Sequence, residues 1–158
     1  MDSEILEVNF DGEEEAAPAP ADAGDLAALE EAFGAPVIFC YTRRQAIADG
    51  MQFQAPAADA AEAGFRWPVY ITSAVYEEAI RVPEGVEAQD EAGRLWDVLW
   101  MAALEARRPG PDEGTRQFTV YVRNDNRAPR PFSYYLQAGP VDVDNPAPCI
   151  TIMTAADL

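Results

Sequence analysis

One apolar segment, residues 93–104, limits the folds open to this chain more than any other part of the sequence. Apolar side chains in and just after it recur at mostly three and four residue intervals, along one row at 95, 98, 99, 102 and 106 and a second at 96, 100 and 103. This spacing predicts a helix over about residues 93–108 that is apolar on most of its surface. We expect such a helix to be buried at the centre of the fold and to end at Pro109 and Gly110.

Short elements are predicted before this helix and three strands after it. Thr42 and Gln45 have the spacing of a capping box, which predicts a short helix ending near Gly50. Because helices come first and strands last, we expect an α+β domain that closes with an antiparallel three-stranded meander. The other predicted elements are helices at 26–33, 56–64 and 72–80, strands at 36–41, 51–54, 65–71, 117–123, 132–137 and 149–154, and a turn at 139–148.

The acidic residues are unevenly distributed along the chain. The formal net charge is −17, and residues 1–31 contain eleven acidic residues and no basic one. Low complexity and like charge predict a flexible acidic tail and linker over residues 1–24, followed by one domain over 25–158. Residues 25–35 are either part of that domain or a docking segment. The glutamates expected to contribute an acidic surface are Glu13, Glu14, Glu15, Glu30 and Glu31.

The absence of histidine and lysine excludes several kinds of chemistry. All eleven basic residues are arginines, so Ser-His-Asp and Cys-His catalysis, Schiff bases, the P-loop lysine and histidine metal sites are ruled out. Asp142 and Asp144 lack the glycine and distal glutamate of a calcium loop. We therefore expect no catalytic residue, no cofactor and no metal. Cys40 and Cys149 lie in apolar runs and are expected to be buried free thiols.

The charge and hydropathy of the chain also indicate its surroundings. No apolar run approaches the roughly 20 residues of a membrane-spanning helix, and the acidic N-terminus is unlike a secretory signal. We expect a cytoplasmic protein without membrane contact. Carboxylates repel phosphate, so the expected partner is a protein with a basic surface and not nucleic acid itself. The alternative is that the acidity serves solubility or reflects a compositional bias.

Two clusters contain the candidate binding residues. Tyr41, Thr42 and Arg43 stand where a strand would meet a helix N-terminus, which can hold an anion or can be an ordinary capped helix. Asp97 lies in the apolar helix, where a buried carboxylate needs a partner such as Arg94 one turn earlier. Aromatic side chains at 67 and 96 would stack on a partner or pack in the core. The full set is Tyr41, Thr42, Arg43, Arg66, Trp67, Thr72, Arg94, Trp96 and Asp97.

Four segments in order resemble a family of domains of unknown function carried by plasmids, integrative elements and phages. The segments are VIFCYTRRQAIADG at 37–50, EAGFRWPV at 62–69 with Thr72, GRLWDVLWM at 93–101 and PCITIM at 148–153. The resemblance spans residues 36–154. It implies that the protein is encoded on a mobile element, but it does not imply a particular activity. Accessory proteins of such elements often antagonise host defence, which is an analogy of context.

These observations lead to three functional hypotheses. The first is a non-enzymatic accessory protein that inhibits a nucleic-acid-binding defence complex, such as a CRISPR effector or a restriction enzyme, by acidic mimicry of nucleic acid. The second is a small enzyme or anion-binding domain that brings Tyr41, Arg43, Arg66 and Asp97 into one pocket. The third is a scaffold subunit with Trp96 and Trp100 in an oligomer interface.

Overall fold

The computed structural model describes residues 41–110 and 114–158, and residues 41–158 form one compact unit. The predicted tail, the helix at 26–33, the strand at 36–41 apart from Tyr41, Cys40 and the five glutamates of the predicted acidic surface lie outside the described residues. The elements are helix α1 (Arg43–Ala48), strand β1 (Gln52–Gln54), helix α2 (Ala57–Ala63), strand β2 (Val69–Thr72), helix α3 (Ser73–Val75) continuing as a π-helix (Tyr76–Ile80), helix α4 (Glu91–Ala106), strands β3 (Thr115–Val122), β4 (Arg130–Asp142) and β5 (Asn145–Met153), and a 3-10 helix (Ala155–Asp157).

The strands form one five-stranded mixed sheet in the order β1-β2-β5-β4-β3. Strands β3, β4 and β5 are successive antiparallel neighbours, which confirms the predicted C-terminal meander and the α+β class. The sequence did not predict the parallel pairing of β5 with β2, in which Val69 lies opposite Ile150 and Ile71 opposite Ile152. This pairing places the last strand of the chain at the centre of the sheet.

The two faces of the sheet are chemically different. Side chains alternate across a strand, so Ile150 and Ile152 point to the face covered by the helices, whereas Cys149 and Thr151 point to the other. The helix-covered face packs against α2, the π-helix and α4 and forms the apolar core. Cys149 is a buried free thiol, as predicted, and its Sγ lies 3.4 Å from the carbonyl oxygen of Pro140.

Helix α4 is buried on one face only. The Asp90 carboxylate caps it by accepting a hydrogen bond from the Gly93 N–H at 2.7 Å. Val98 and Leu99 are fully buried, but the opposite face exposes Trp100, Met101 and Leu104 by 36–40% of their surfaces. The predicted helix is therefore present, but the rest of the protein buries less of its surface than its apolar sequence indicated.

Local signals placed the shorter helices correctly. The Thr42 and Gln45 side chains make both hydrogen bonds of the predicted capping box at the start of α1. Helix α2 ends at Gly64, whose φ of 105° lies in the left-handed region that favours glycine. A side chain at Gly64 would also collide with the Arg107 guanidinium, which donates to the Ala63 carbonyl at 2.6 Å.

The predicted turn at 139–148 is present but much shorter than predicted, because it consists of Val143 and Asp144 alone. Strands β4 and β5 continue through the rest of this range as a hairpin, with Pro140 opposite Pro148 and Asp142 opposite Asn145. Prolines lack the N–H that a central strand needs, and this argued for a turn. The prolines are tolerated because β3 pairs with β4 only as far as Gln137, and β2 pairs with β5 only from Ile150 onward. The hairpin therefore extends past both neighbouring strands.

No helix within 41–110 and 114–158 has the length and apolar character required to cross a membrane.

Replacing Tyr134 by phenylalanine tests one imperfect part of the core. Tyr134 is 1% exposed, and its hydroxyl lies near the Glu78 carboxylate without normal hydrogen-bond geometry. Burial, followed by the charge of Glu78, raises the pKa of this phenol. Removing an unpaired buried hydroxyl should leave the free energy of unfolding unchanged or raise it by up to about 1 kcal/mol, measured by urea denaturation.

The matched control is Tyr76→Phe. The Tyr76 hydroxyl donates to the Glu91 carboxylate at 2.9 Å, so its removal should lower the free energy of unfolding by about 0.5–1.5 kcal/mol. A comparable loss in Tyr134→Phe would show that the Tyr134 hydroxyl has a partner after all.

Candidate functional site

The Arg43 guanidinium connects four strands on the sheet face opposite the core. Its Nε donates to the Val141 carbonyl at 2.6 Å, Nη1 to Gln52 Oε1 at 2.7 Å and Nη2 to Thr151 Oγ1 at 2.9 Å. Its central carbon lies 4.4 Å from the centre of the Tyr70 ring. A planar guanidinium suits this arrangement because its donors diverge in one plane while its face stacks on the ring.

The N-terminus of α1 holds a carboxylate from the same chain. Asp142 accepts hydrogen bonds from the N–H groups of Arg43 at 3.2 Å, Arg44 at 3.0 Å and Val143 at 2.9 Å. Burial alone would raise the pKa of Asp142, but these N–H donors and the Arg44 charge outweigh it and lower the pKa. Of the two readings left open by the sequence, both apply here, since α1 has its predicted capping box and its N-terminus also binds the Asp142 carboxylate.

A shallow pocket of about 280 Å³ lies beside this pair, between α1 and the end of β4. Tyr41, Thr42 and Arg43 line it, and the Tyr41 hydroxyl donates to Asp49 at 2.8 Å. Each nitrogen of the Arg43 guanidinium already donates to the protein. An anion that entered the pocket would therefore meet the Arg43 guanidinium, whose hydrogen-bond donors are largely occupied by protein acceptors.

The four residues of the second hypothesis do not form one pocket. Tyr41 and Arg43 line the pocket just described, but Arg66 and Asp97 do not. Arg66 is exposed in the connection between α2 and β2, and Asp97 is exposed on α4. The separation arises because α1 and α4 are attached to different parts of the sheet, which sequence spacing cannot reveal.

The expected ion pair between Arg94 and Asp97 is also absent, and the buried group of the two is the arginine. Arg94 is 5% exposed and donates to the Arg81 carbonyl at 2.9 Å, Asn124 Oδ1 at 2.8 Å, Gln89 Oε1 at 3.2 Å and the Arg123 carbonyl. Burial, followed by the charge of Arg123, lowers the pKa of Arg94. Neutral oxygens thus replace the carboxylate predicted as its partner.

The connection between the π-helix and α4, residues 81–90, is fastened to the β3–β4 turn. Asn126 donates to the Gly85 carbonyl at 2.8 Å and accepts from the Glu87 N–H at 3.0 Å. Arg123 donates to the Glu87 carbonyl, and Asn124 to the Glu78 carbonyl at 2.8 Å. Nothing in the spacing of Asn124 and Asn126 along the sequence identifies these distant partners.

This fastened segment displays a run of carboxylates. Residues 82–93 contain four acidic residues and no basic one. All four are exposed, and their backbone is fixed by the contacts just described. We call Glu84, Glu87, Asp90 and Glu91 the acidic loop surface. Nearby, burial, followed by the charge of Asp90, raises the pKa of Asp97.

The remaining candidate residues are dispersed. Thr72 is buried and donates to Asp157 Oδ2 at 2.9 Å, a structural contact to the 3-10 helix. Trp67 is 45% exposed, and Trp96 stacks on Trp100 with their ring centres 5.8 Å apart. Within the described ranges, no group of three histidine, cysteine, aspartate or glutamate side chains could hold a metal ion.

Replacing Arg43 by lysine tests the guanidinium contacts. A single ammonium cannot reach three diverging acceptors and stack on Tyr70, so we expect the free energy of unfolding to fall by about 1–3 kcal/mol. The neighbouring change Arg44→Lys is the control. Arg44 is exposed, and its ion pair with Asp144 at 3.4 Å is a surface pair that contributes little to stability. That control should change stability by less than about 0.5 kcal/mol in urea denaturation. Equal effects of the two substitutions would contradict this role.

Replacing Asp142 by asparagine tests the carboxylate at the α1 N-terminus. At neutral pH the variant should lose about 1–2 kcal/mol, since charge-assisted hydrogen bonds become neutral ones. The folded-state pKa is lowered, so this stabilisation is complete above the ordinary value of 3.8 and is lost as the pH falls through the folded-state pKa. The stability gap between wild type and variant should therefore close on acidification, and a gap independent of pH would contradict the assignment.

Comparisons with known proteins give one result. A family described as a family of unknown function, DUF6573, matches residues 30–157. No curated protein and no solved structure matches the chain. The match covers most of the chain, from before α1 to the 3-10 helix, and the chain belongs to the DUF6573 family.

Proposed function

We propose that this protein is a non-enzymatic accessory protein of a mobile genetic element that binds a nucleic-acid-binding defence complex and blocks its basic surface. A CRISPR effector or a restriction enzyme has such a surface. The observation that supports the proposal best is the acidic loop surface, three exposed carboxylates on residues 81–90, a segment fixed at both ends, and a fourth on the first residue of α4. The mobile-element setting rests on the resemblance of the four sequence segments described above.

The fixed backbone makes these carboxylates better ligands than the same charges on a free chain. Arg94 attaches both ends of the segment, at Arg81 and Gln89, and Asn126 attaches its middle. Binding a fixed segment costs less conformational entropy than ordering a mobile one. A channel lined with arginine and lysine, built to bind phosphates, would meet closely spaced negative charges.

The rest of the charge acts at longer range. The eleven acidic residues among residues 1–31 have the same sign as the acidic loop surface. Their field would speed encounter with a basic complex and would weaken as ionic strength rises. The proposal thus assigns attraction to the overall charge and the specific contact to Glu84, Glu87, Asp90 and Glu91.

Neutralising the acidic loop surface tests the contact. The triple variant Glu84→Gln, Glu87→Gln and Glu91→Gln keeps the Asp90 cap and the backbone contacts of the segment. We expect the concentration of this variant that half-inhibits DNA binding by purified CRISPR effectors or restriction enzymes to be at least about ten times that of wild type. The charge-matched control Asp59→Asn, Glu62→Gln and Asp144→Asn should inhibit as wild type does. Equal inhibition by the two triple variants, or no inhibition by wild type, would contradict the proposal.

A charge-neutral substitution that loosens residues 81–90 separates the effect of holding the carboxylates in place from the effect of the total charge. Asn126→Ala removes both side-chain bonds to the segment, and Asn126 is exposed, so the fold should survive. We expect inhibition to weaken by about threefold to tenfold at unchanged net charge. Asn145→Ala is the charge-neutral control, because Asn145 is exposed and accepts a hydrogen bond from the Ala147 N–H, away from residues 81–90. Undiminished inhibition by Asn126→Ala would leave total charge as the sole determinant.

A further inference from the structure

The outward face of α4 is apolar and has charged residues of opposite sign at its two ends. Met101 and Leu104 form its centre, with 36% and 40% of their surfaces exposed. Asp97 lies one turn before them, and Arg108 lies one turn after them, just beyond the end of α4 at Ala106; both are exposed. The four positions follow each other at intervals of four, three and four residues, the spacing of residues along the seam of paired helices.

We propose that a second copy of this chain docks on this face, forming an antiparallel pair of α4 helices about a two-fold axis. With the axis between residues 102 and 103, Asp97 faces the partner's Arg108 and Met101 faces the partner's Leu104. The two-fold axis generates each contact twice, so the interface is closed and limited to two copies.

Charge complementarity favours a second copy in this orientation. The N-terminal half of α4 contains or follows Asp90, Glu91 and Asp97, and its one cation, Arg94, is buried. At the C-terminal end Arg107, which donates to the Ala63 carbonyl, and Arg108 outnumber Glu105. An antiparallel arrangement places acidic ends against basic ends and also opposes the helix dipoles favourably. A parallel arrangement would place like charges together, and an all-basic or all-acidic partner would match only one end.

Contacts among the residues that the structure describes leave this face exposed. Arg108 pairs with Glu105 at 3.1 Å, yet the Arg108 side chain remains 74% exposed and can reach a second carboxylate. Trp100 borders the face, 40% exposed, with the Arg107 guanidinium 6.0 Å from its ring centre. Docking would therefore transfer an exposed indole to a less polar surrounding and shift its fluorescence to shorter wavelength.

A complementary pair of charge reversals tests the proposal on the full chain. Asp97→Arg leaves two arginines at each end of the pair, and Arg108→Glu leaves two acidic residues. Each variant alone should self-associate at least about tenfold more weakly than wild type in sedimentation equilibrium at concentrations up to about 100 μM. Mixed in equal amounts, the two variants should form a heterodimer, because each end then again combines an arginine with a carboxylate, one pair as in wild type and the other reversed.

The control pair Glu62→Arg and Arg66→Glu makes the same charge changes on exposed residues outside α4. Each control variant should self-associate as wild type does, and far-ultraviolet circular dichroism should show that all four variants are folded. Monomeric wild type throughout the concentration range overturns the proposal. Single variants that dimerise like wild type, or a mixture that stays monomeric, also overturn it. Because the four residues of the acidic loop surface are untouched, these results do not depend on the proposed inhibitory function.

Discussion

The parallel pairing of β2 with β5 holds the two halves of this domain together. The hairpins and turns at either side could each form from neighbouring sequence, but β2 and β5 are about eighty residues apart in the chain. Their alignment places Val69 and Ile71 beside Ile150 and Ile152 in the core, and it places Tyr70 beside Thr151 on the opposite face. The core beneath the helices and the Arg43 contacts above the sheet both depend on this register, since a shift of one residue would exchange the two faces.

The sequence predicted elements whose signals are local. The capping box at Thr42 and Gln45, the end of α2 at Gly64 and the α4 periodicity each involve residues within a few turns of one another. The predicted turn at 139–148 was too long because Pro140 and Pro148 are compatible with a strand whose outer edge has no neighbour, and that depends on where β2 and β3 end. The parallel pairing was missed for the same reason, since no local pattern identifies which strand a second strand will join.

The candidate site shows the same limit at the level of side chains. Helical spacing correctly put Arg94 and Asp97 one turn apart, but it could not determine which of them faces the protein. Arg94 is buried where carbonyl and amide oxygens of Arg81 and Gln89 and of Arg123 and Asn124 converge on it, whereas Asp97 is exposed. Likewise, the anion at the α1 N-terminus was foreseeable from the sequence, but its source, 98 and 99 residues away in Asp142, was not.

The attachment of residues 81–90 to the β3–β4 turn also determines at what stage of folding the acidic loop surface forms. The bonds that join the segment to the β3–β4 turn connect residues 36 to 41 positions apart, and this turn follows α4 in the chain. A growing chain would therefore display the four carboxylates before the residues that fix them have been synthesised. Charge is present from the start of synthesis, but its arrangement is a product of completed folding. Proteolytic sensitivity of residues 81–90 should consequently report the state of the sheet as well as that of the segment itself.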